Sequence, residues 1–186
     1  MRVTCTGVRD GWFDDRFGAL GSVFVNGMPG LSPGFSIEDA PDGTVSFAAV
    51  LEDYDAITAS GFDWVHWILC DLDGTEVPEG ASHHDPGFTE GSNSWFSSLG
   101  DLDREGATGY GGMAPPNGMH RYTLTVYALD TRLGLERGFR MNDLHFAMMG
   151  HVLSQASVVG RYEMRRGVAV EGGPTGNRTR IASSEV

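Results

Sequence analysis

The stretch from His120 to Leu129 constrains this chain more than any other. His120, Tyr122, Leu124, Val126 and Ala128 fall on one side of an extended backbone, and Arg121, Thr123, Thr125 and Tyr127 on the other. A mostly apolar row of this kind commits the segment to a sheet with one face covered by a second layer. The row is polar only at its start, where His120 and Tyr122 stand. Immediately before it runs a loop of glycine and proline, Tyr110-Gly-Gly-Met-Ala-Pro-Pro-Asn-Gly118. Gly111 and Gly112 let the main chain pass where a side chain would clash, and Pro115 and Pro116 hold it in an extended path. Such a loop aims backbone N–H groups at a ligand with little ordering entropy. A pocket mouth is therefore expected at the loop end of the strand.

Two further segments supply partners for it. In residues 45–53, Val45, Phe47, Ala49, Leu51 and Asp53 share a face, an apolar row ending in a carboxylate. In residues 64–70, Trp64, His66, Ile68 and Cys70 share a face, with His66 near the start. If these strands pair antiparallel through the 54–63 connection, Asp53 and His66 become neighbours. His120 and Tyr122 then complete a convergence of acid, two imidazoles and phenol on the glycine loop.

Two imidazoles and a phenol supply three donors, and the loop amides add more, a set suited to a tetrahedral oxyanion. A carboxylate beside such an anion needs a reason. Either Asp53 accepts from His66 or His120 and fixes that ring, or it faces an ammonium group on the ligand. Asp55 reads as an orienting neighbour. The competing account is that Asp53, His66 and His120 merely satisfy one another in a core. Acid–base groups are present, but no serine or cysteine sits in a nucleophile context such as Gly-x-Ser-x-Gly, so binding is expected over turnover. No metal and no cofactor is called for.

The remainder of the chain fits a β-rich domain. The 27 glycines and 8 prolines among short apolar runs predict many turns. One domain is expected over residues 1–170, followed by a disordered polar tail over 171–186. The net charge of −12 argues against nucleic acid as a partner. No run approaches the roughly 20 apolar residues of a membrane span, and the N-terminus lacks a signal-peptide core, so a cytoplasmic location without integral membrane association is expected. Cys5 and Cys70 are expected as buried free thiols in strands. Residues 10–19 read as a solvated loop tethered by Trp12 and Phe13. Residues 78–100 read as a long surface excursion rimming the pocket, with His83 and His84 exposed rather than metal-bound, and with Trp95 and Phe96 folding back on the body or serving a subunit contact. Met141, Leu144, Met148, Val152 and Ala156 recur at helical spacing, which predicts a helix over 141–156 capped by Asn142 or Asp143 and holding His145 and His151. A last strand follows over 157–164.

The chain resembles the phosphatidylethanolamine-binding proteins of the bacterial and archaeal type. The matching pieces, in order, are Leu31-Ser-Pro33, Asp53-Tyr-Asp55-Ala56, Trp64-Val-His66-Trp67, Gly109-Tyr-Gly-Gly112 with Pro115-Pro116, His120-Arg-Tyr122, Tyr127-Ala-Leu129, Gly150-His-Val-Leu153 and Gly160-Arg-Tyr162. Tyr54 and Ile57 stand where the family usually carries prolines, and Met113 and Ala114 also depart from its pattern. The resemblance implies a mainly β fold, a two-sheet antiparallel Greek-key sandwich with one or two helices near the C-terminus. It implies an anion pocket for phosphate or phosphorylated head groups formed by Asp53, Asp55, Trp64, His66, Tyr110, Gly111, Gly112, Ala114, Pro115, His120 and Tyr122. It further implies a protein partner, since relatives are associated with regulation of kinases or proteases, and a homodimer with the Trp95-Phe96 loop as a plausible seam.

Overall fold

The long alternating segments form the central strands. The computed structural model describes residues 1–84 and 87–164, and every count below refers to these. The expected tail at 171–186 lies outside them. In chain order the strands are β1 (Arg2–Cys5), β2 (Val8–Arg9), β3 (Trp12–Phe13), β4 (Phe24–Val25), β5 (Met28–Pro29), β6 (Phe35–Glu38), β7 (Ser46–Asp53), β8 (Trp64–Leu72), β9 (Glu76–Val77), β10 (Thr89–Glu90), β11 (Met119–Leu129) and β12 (Val152–Glu163). The helices are α1 (Ile57–Ser60), a single turn, and α2 (Met141–Met148).

The protein is mainly β. A seven-stranded sheet runs β10-β8-β7-β11-β12-β3-β2, a three-stranded sheet runs β1-β6-β9, and β4 and β5 form a small ribbon. Pairing is antiparallel except between β12 and β3, which are parallel. Val3, Cys5, Phe35, Ile37 and Val77 of the smaller sheet face Phe47, Leu51, Trp67, Leu124, Val126 and Ala128 of the larger one, and this is the main core. The other face of the large sheet is covered by α2 and the segment before it, with Ala48, Val50, Ile68, Cys70, Phe139 and Leu144 packed together. Both faces of β7 are thus buried, as are all its residues. Cys5 and Cys70 are free thiols, and burial pushes the Cys70 thiol up to about 12.

Three sequence readings need correction. The helix ends at Met148, not 156. Gly150 adopts φ +82° and turns the chain, and β12 begins at Val152 to pair along the whole of β11. The spacing of four residues from Met148 through Val152 to Ala156 is even, so it fits a strand as well as a helix, and cross-strand pairing decided. His151 therefore lies beyond the helix, with Nδ1 2.8 Å from Asp130, and the helix start is closed by Asp143 accepting from the Arg140 amide. Second, segment 78–100 is no surface excursion throughout. Glu90 is buried, accepting from the Trp67 indole at 2.8 Å and the Ser82 hydroxyl at 2.6 Å, and Ser92 and Asn93 are buried with it. A single buried carboxylate stitches the loop to β8, which polarity alone concealed. Third, Trp64, His66, Ile68 and Cys70 do not share one face. Leu51 pairs with Trp67 but Glu52 with Val65, so β8 carries an extra residue at His66. That bulge turns both His66 and Trp67 toward the main core side and sends Ile68 and Cys70 to the other.

Candidate functional site

Asp53 ends β7, and its carboxylate holds two elements. Oδ1 accepts the Ala56 amide at 3.1 Å, capping the turn that leads into α1. Oδ2 lies 2.7 Å from His120 Nδ1 at the start of β11. The far ring nitrogen of His120, Nε2, is 2.6 Å from Asn117 Oδ1, while the Asn117 amide nitrogen donates to Thr58 Oγ1 at 3.2 Å. The His120 ring is thus held between the Asp53 carboxylate at Nδ1 and the Asn117 side chain at Nε2. Asp53 and His120 are both 3% exposed.

His66 reaches the site through the β8 bulge. Its Nδ1–H donates to the Gly111 carbonyl at 2.6 Å, and burial, the dominant influence, lowers its pKa against the opposing pull of that carbonyl. Burial thus favours the neutral ring, and the Gly111 carbonyl draws its proton to Nδ1, leaving Nε2 as the acceptor. Tyr122 lies against both imidazoles, edge to face with His66 at a centroid distance of 5.1 Å and stacked beside His120 at 6.4 Å. Its hydroxyl is buried beside Asp53, whose charge adds to burial in raising the phenol's pKa, and makes no hydrogen bond of good geometry with any protein group. The Trp95 indole N–H is likewise buried without a partner. Trp95 meets Trp64 edge to face at 5.9 Å, so the two form one wall.

These groups line a cavity of about 240 Å³, together with Ala56, Ala59, Ser60 and Leu99 on one side and Gly112, Ala114, Pro115 and Pro116 on the other. Gly112 is where the loop needs a missing side chain: a Cβ there would sit 2.3 Å from the Phe17 carbonyl oxygen. The loop does not present its glycine amides to the cavity, however. Gly111 N–H donates to the His66 carbonyl and Gly112 N–H to that of Pro29, both at 2.8 Å. These two amides are therefore spent within the fold, contrary to the sequence reading.

The architecture and the sequence agree with known proteins. The family model described as phosphatidylethanolamine-binding protein matches residues 8–163. The chain belongs to that family. A Bacillus subtilis protein, YxkA, is 38% identical over 136 residues, covering 71% of this chain and 81% of its own. A UPF0098 protein of Methanothermobacter thermautotrophicus is 36% identical over 158 residues, covering 83% of this chain and 95% of its own. Among solved structures, the phosphatidylethanolamine-binding protein homolog CT736 of Chlamydia trachomatis superposes with a TM-score of 0.71 at 28% identity, over 88% of this chain and 97% of that one. Escherichia coli YbcL also gives 0.71, at 22% identity over 88% and 98%, a likeness of fold alone. Membership supports a binding-protein fold.

Within this family fold, Asp53, Trp64, His66, Gly112, Ala114, Pro115, His120 and Tyr122 come together at the cavity. Gly111 stands just behind, fixing the His66 tautomer. Two of the expected residues are elsewhere. Tyr110 is fully buried in the main core, its hydroxyl donating to the Phe17 carbonyl at 2.6 Å. Asp55 points to the outer face and pairs with Arg121 through both oxygens. Alternation explains Asp55, because Arg121 lies on the face opposite His120 and Tyr122. Trp95, Leu99 and Asn117 were missed as site residues. Asn117 precedes His120 by three residues across Gly118, a short turn that returns its side chain to the ring. Trp95, expected only to fold back on the body or serve a subunit contact, is brought to the cavity by the Glu90 anchor and its own turn. His83 is half-buried, with Nε2 3.0 Å from the Tyr110 carbonyl. Among the described residues no group of three His, Cys, Asp or Glu side chains is placed to hold a metal, and no helix is long and apolar enough to cross a membrane.

Proposed function

We propose that the cavity binds a small oxyanion, a phosphate or phosphorylated head group, and that the protein acts by binding, with the ligand gating a protein partner. The observation that carries this reading is a pair of buried donors on the wall of one cavity: the Trp95 indole N–H, which has no protein partner among the described residues, and the Tyr122 hydroxyl, which lies beside Asp53 without a well-formed hydrogen bond. Buried donors left unpaired cost about 1–3 kcal/mol each, which an acceptor ligand returns. Both oxygens of Asp53 are engaged within the fold, Oδ2 by His120 Nδ1 and Oδ1 by the Ala56 amide, so the carboxylate repels an anion less than a free one would.

Neutral His66 adds a constraint. Its Nε2 is an acceptor, so the ligand brings a proton to it. A singly protonated phosphate meets this: one P–OH donates to His66 while the other oxygens accept from Tyr122 and Trp95. The lining Ser60 donates to backbone carbonyls of its own turn and touches no imidazole, which favours binding over acyl transfer.

Thermal unfolding with phosphate or phosphorylethanolamine tests the reading. The melting temperature should rise with ligand concentration, and more at pH 6 than at pH 8, since phosphate esters lose their second proton near about pH 6. No shift at either pH, with Tyr122→Phe indistinguishable from wild type, would return Asp53, His66 and His120 to a purely structural role.

A further inference from the structure

On the opposite face of β11 from the cavity, Arg121 lies directly across from Arg161 of β12. Like charges facing each other on one side of a ladder are unfavourable, and this chain is strongly acidic overall. The two guanidinium groups are not equivalent. Arg121 is bound bidentately by Asp55, whose Oδ2 also accepts the Arg121 backbone amide at 2.9 Å. Arg161 has no carboxylate partner among the described residues. It is nevertheless held in place: its guanidinium sits 5.0 Å above the Trp12 ring, and its Nε donates to the Gly11 carbonyl at 3.3 Å. Gly11 makes room for it, because a Cβ at that position, where φ is +78°, would lie 3.0 Å from Arg161 Nη2.

Between these arms runs an open groove of about 460 Å³, walled by Met119 and Val159 and floored by the arginine pair and Asp55. The two arginines and Asp55 sum to one positive charge, and Glu163, across from Met119 on the same face, stands at the rim of the groove. A long flexible side chain normally loses rotamer freedom on binding, but Arg161 is already fixed by stacking, and its planar fork matches two oxygens of an oxyanion. Met119 and Val159 are 42% and 51% exposed beside that fork, offering apolar contact to whatever the anion is attached to.

We infer that the groove of Arg121 and Arg161 is a second anion site, separate from the inner cavity, which takes the phosphoryl group of a monoester carrying an apolar substituent. Arg161 supplies the free fork, Arg121 the second positive edge, and Met119 with Val159 the seat for the substituent. Because Asp55 and Asp53 flank one turn, the outer and inner sites share the segment that carries both carboxylates.

Phenyl phosphate is the probe, with inorganic phosphate beside it. Both are titrated into the full chain while the indole N–H resonances are followed by NMR, with Trp12 assigned through Trp12→Phe. The Trp12 signal should move to saturation, at lower concentration with phenyl phosphate than with phosphate. In Arg161→Gln the apparent affinity read at Trp12 should fall roughly tenfold or more, the loss expected for charge-assisted hydrogen bonds. The Trp64 and Trp95 signals, which report the inner cavity, should respond as in wild type, and His120→Ala should leave the Trp12 response intact. A Trp12 signal unmoved at millimolar phenyl phosphate, or moving equally in Arg161→Gln, overturns the proposal. Silence at Trp64 and Trp95 alone would count against the inner site only.

Discussion

The Asp53 carboxylate lies 2.7 Å from His120 Nδ1 and, through its other oxygen, accepts the Ala56 amide. One side chain therefore joins the end of β7, the turn into α1 and the start of β11. Removing it leaves a buried ring nitrogen and a turn amide without acceptors. Asp53→Ala should cost about 3 kcal/mol or more, the loss typical of breaking a buried charged pair, measured by urea unfolding. A loss below about 1 kcal/mol would show that water substitutes readily and that the pair does little for the fold.

Tyr122→Phe separates ligand chemistry from stability. The hydroxyl lies beside Asp53 without a well-formed hydrogen bond, so deleting it removes a buried group that the fold satisfies poorly. The variant should be as stable as the wild type or slightly more so, while the phosphate-induced rise in melting temperature falls or disappears. A clear destabilisation without ligand would mean that the hydroxyl is bonded within the fold.

Stability should pass through a maximum in mildly acid solution. Burial, and after it the charge of Glu52, push the Asp63 carboxyl from 3.8 to about 7. A carboxyl that holds its proton more tightly when folded contributes stability below its unfolded value, and that contribution is lost as pH rises through about 4 to about 7. Asp55 acts in the other direction: hydrogen bonds from Arg121 lower it from 3.8 to about 2, so its contribution is present above about 4 and lost as pH falls toward 2. Melting temperatures across this range should fall toward both ends. Asp63→Asn should flatten the limb between about pH 4 and 7, and Asp55→Asn the acid limb. Buried His66, whose pKa is lowered, acts with the opposite sign over this range, so the comparison with the variant decides: an Asp63→Asn profile unchanged between about pH 4 and 7 would contradict the Asp63 assignment.

Gly112→Ala should be costly for a steric reason, not a conformational one. The added methyl would meet the Phe17 carbonyl oxygen at 2.3 Å and Pro29 Cβ at 2.8 Å, so backbone must move. A loss of about 1–3 kcal/mol is expected, as for overpacked sites, with the cavity wall displaced and phosphate protection weakened. Gly118→Ala is a useful control for the loop. No atom lies within 4 Å of the added methyl, and only the left-handed φ of +123° is strained.

The β11 row was legible because its alternation is unbroken: His120, Tyr122, Leu124, Val126 and Ala128 share one face in the structure as they do in the sequence. The convergence of Asp53, His66 and His120 followed from antiparallel pairing of β7 and β8, which strand ends and connection length already implied. The His66 face was not legible, since a bulge adds one residue to one strand only and shifts every later side chain. The end of α2 was not legible either, because an even spacing serves helix and strand alike until a partner strand is present.

What the sequence determined by itself was the strand periodicity, the glycine and proline loop, and which polar groups interrupt apolar rows, for these depend on local spacing and backbone sterics. Tertiary structure alone decided which nitrogen of each imidazole is occupied, that the Gly111 and Gly112 amides are spent within the protein, and that Trp95 closes the cavity. Hydrogen-bond partners and burial are set by groups distant in the chain, and no local pattern encodes them.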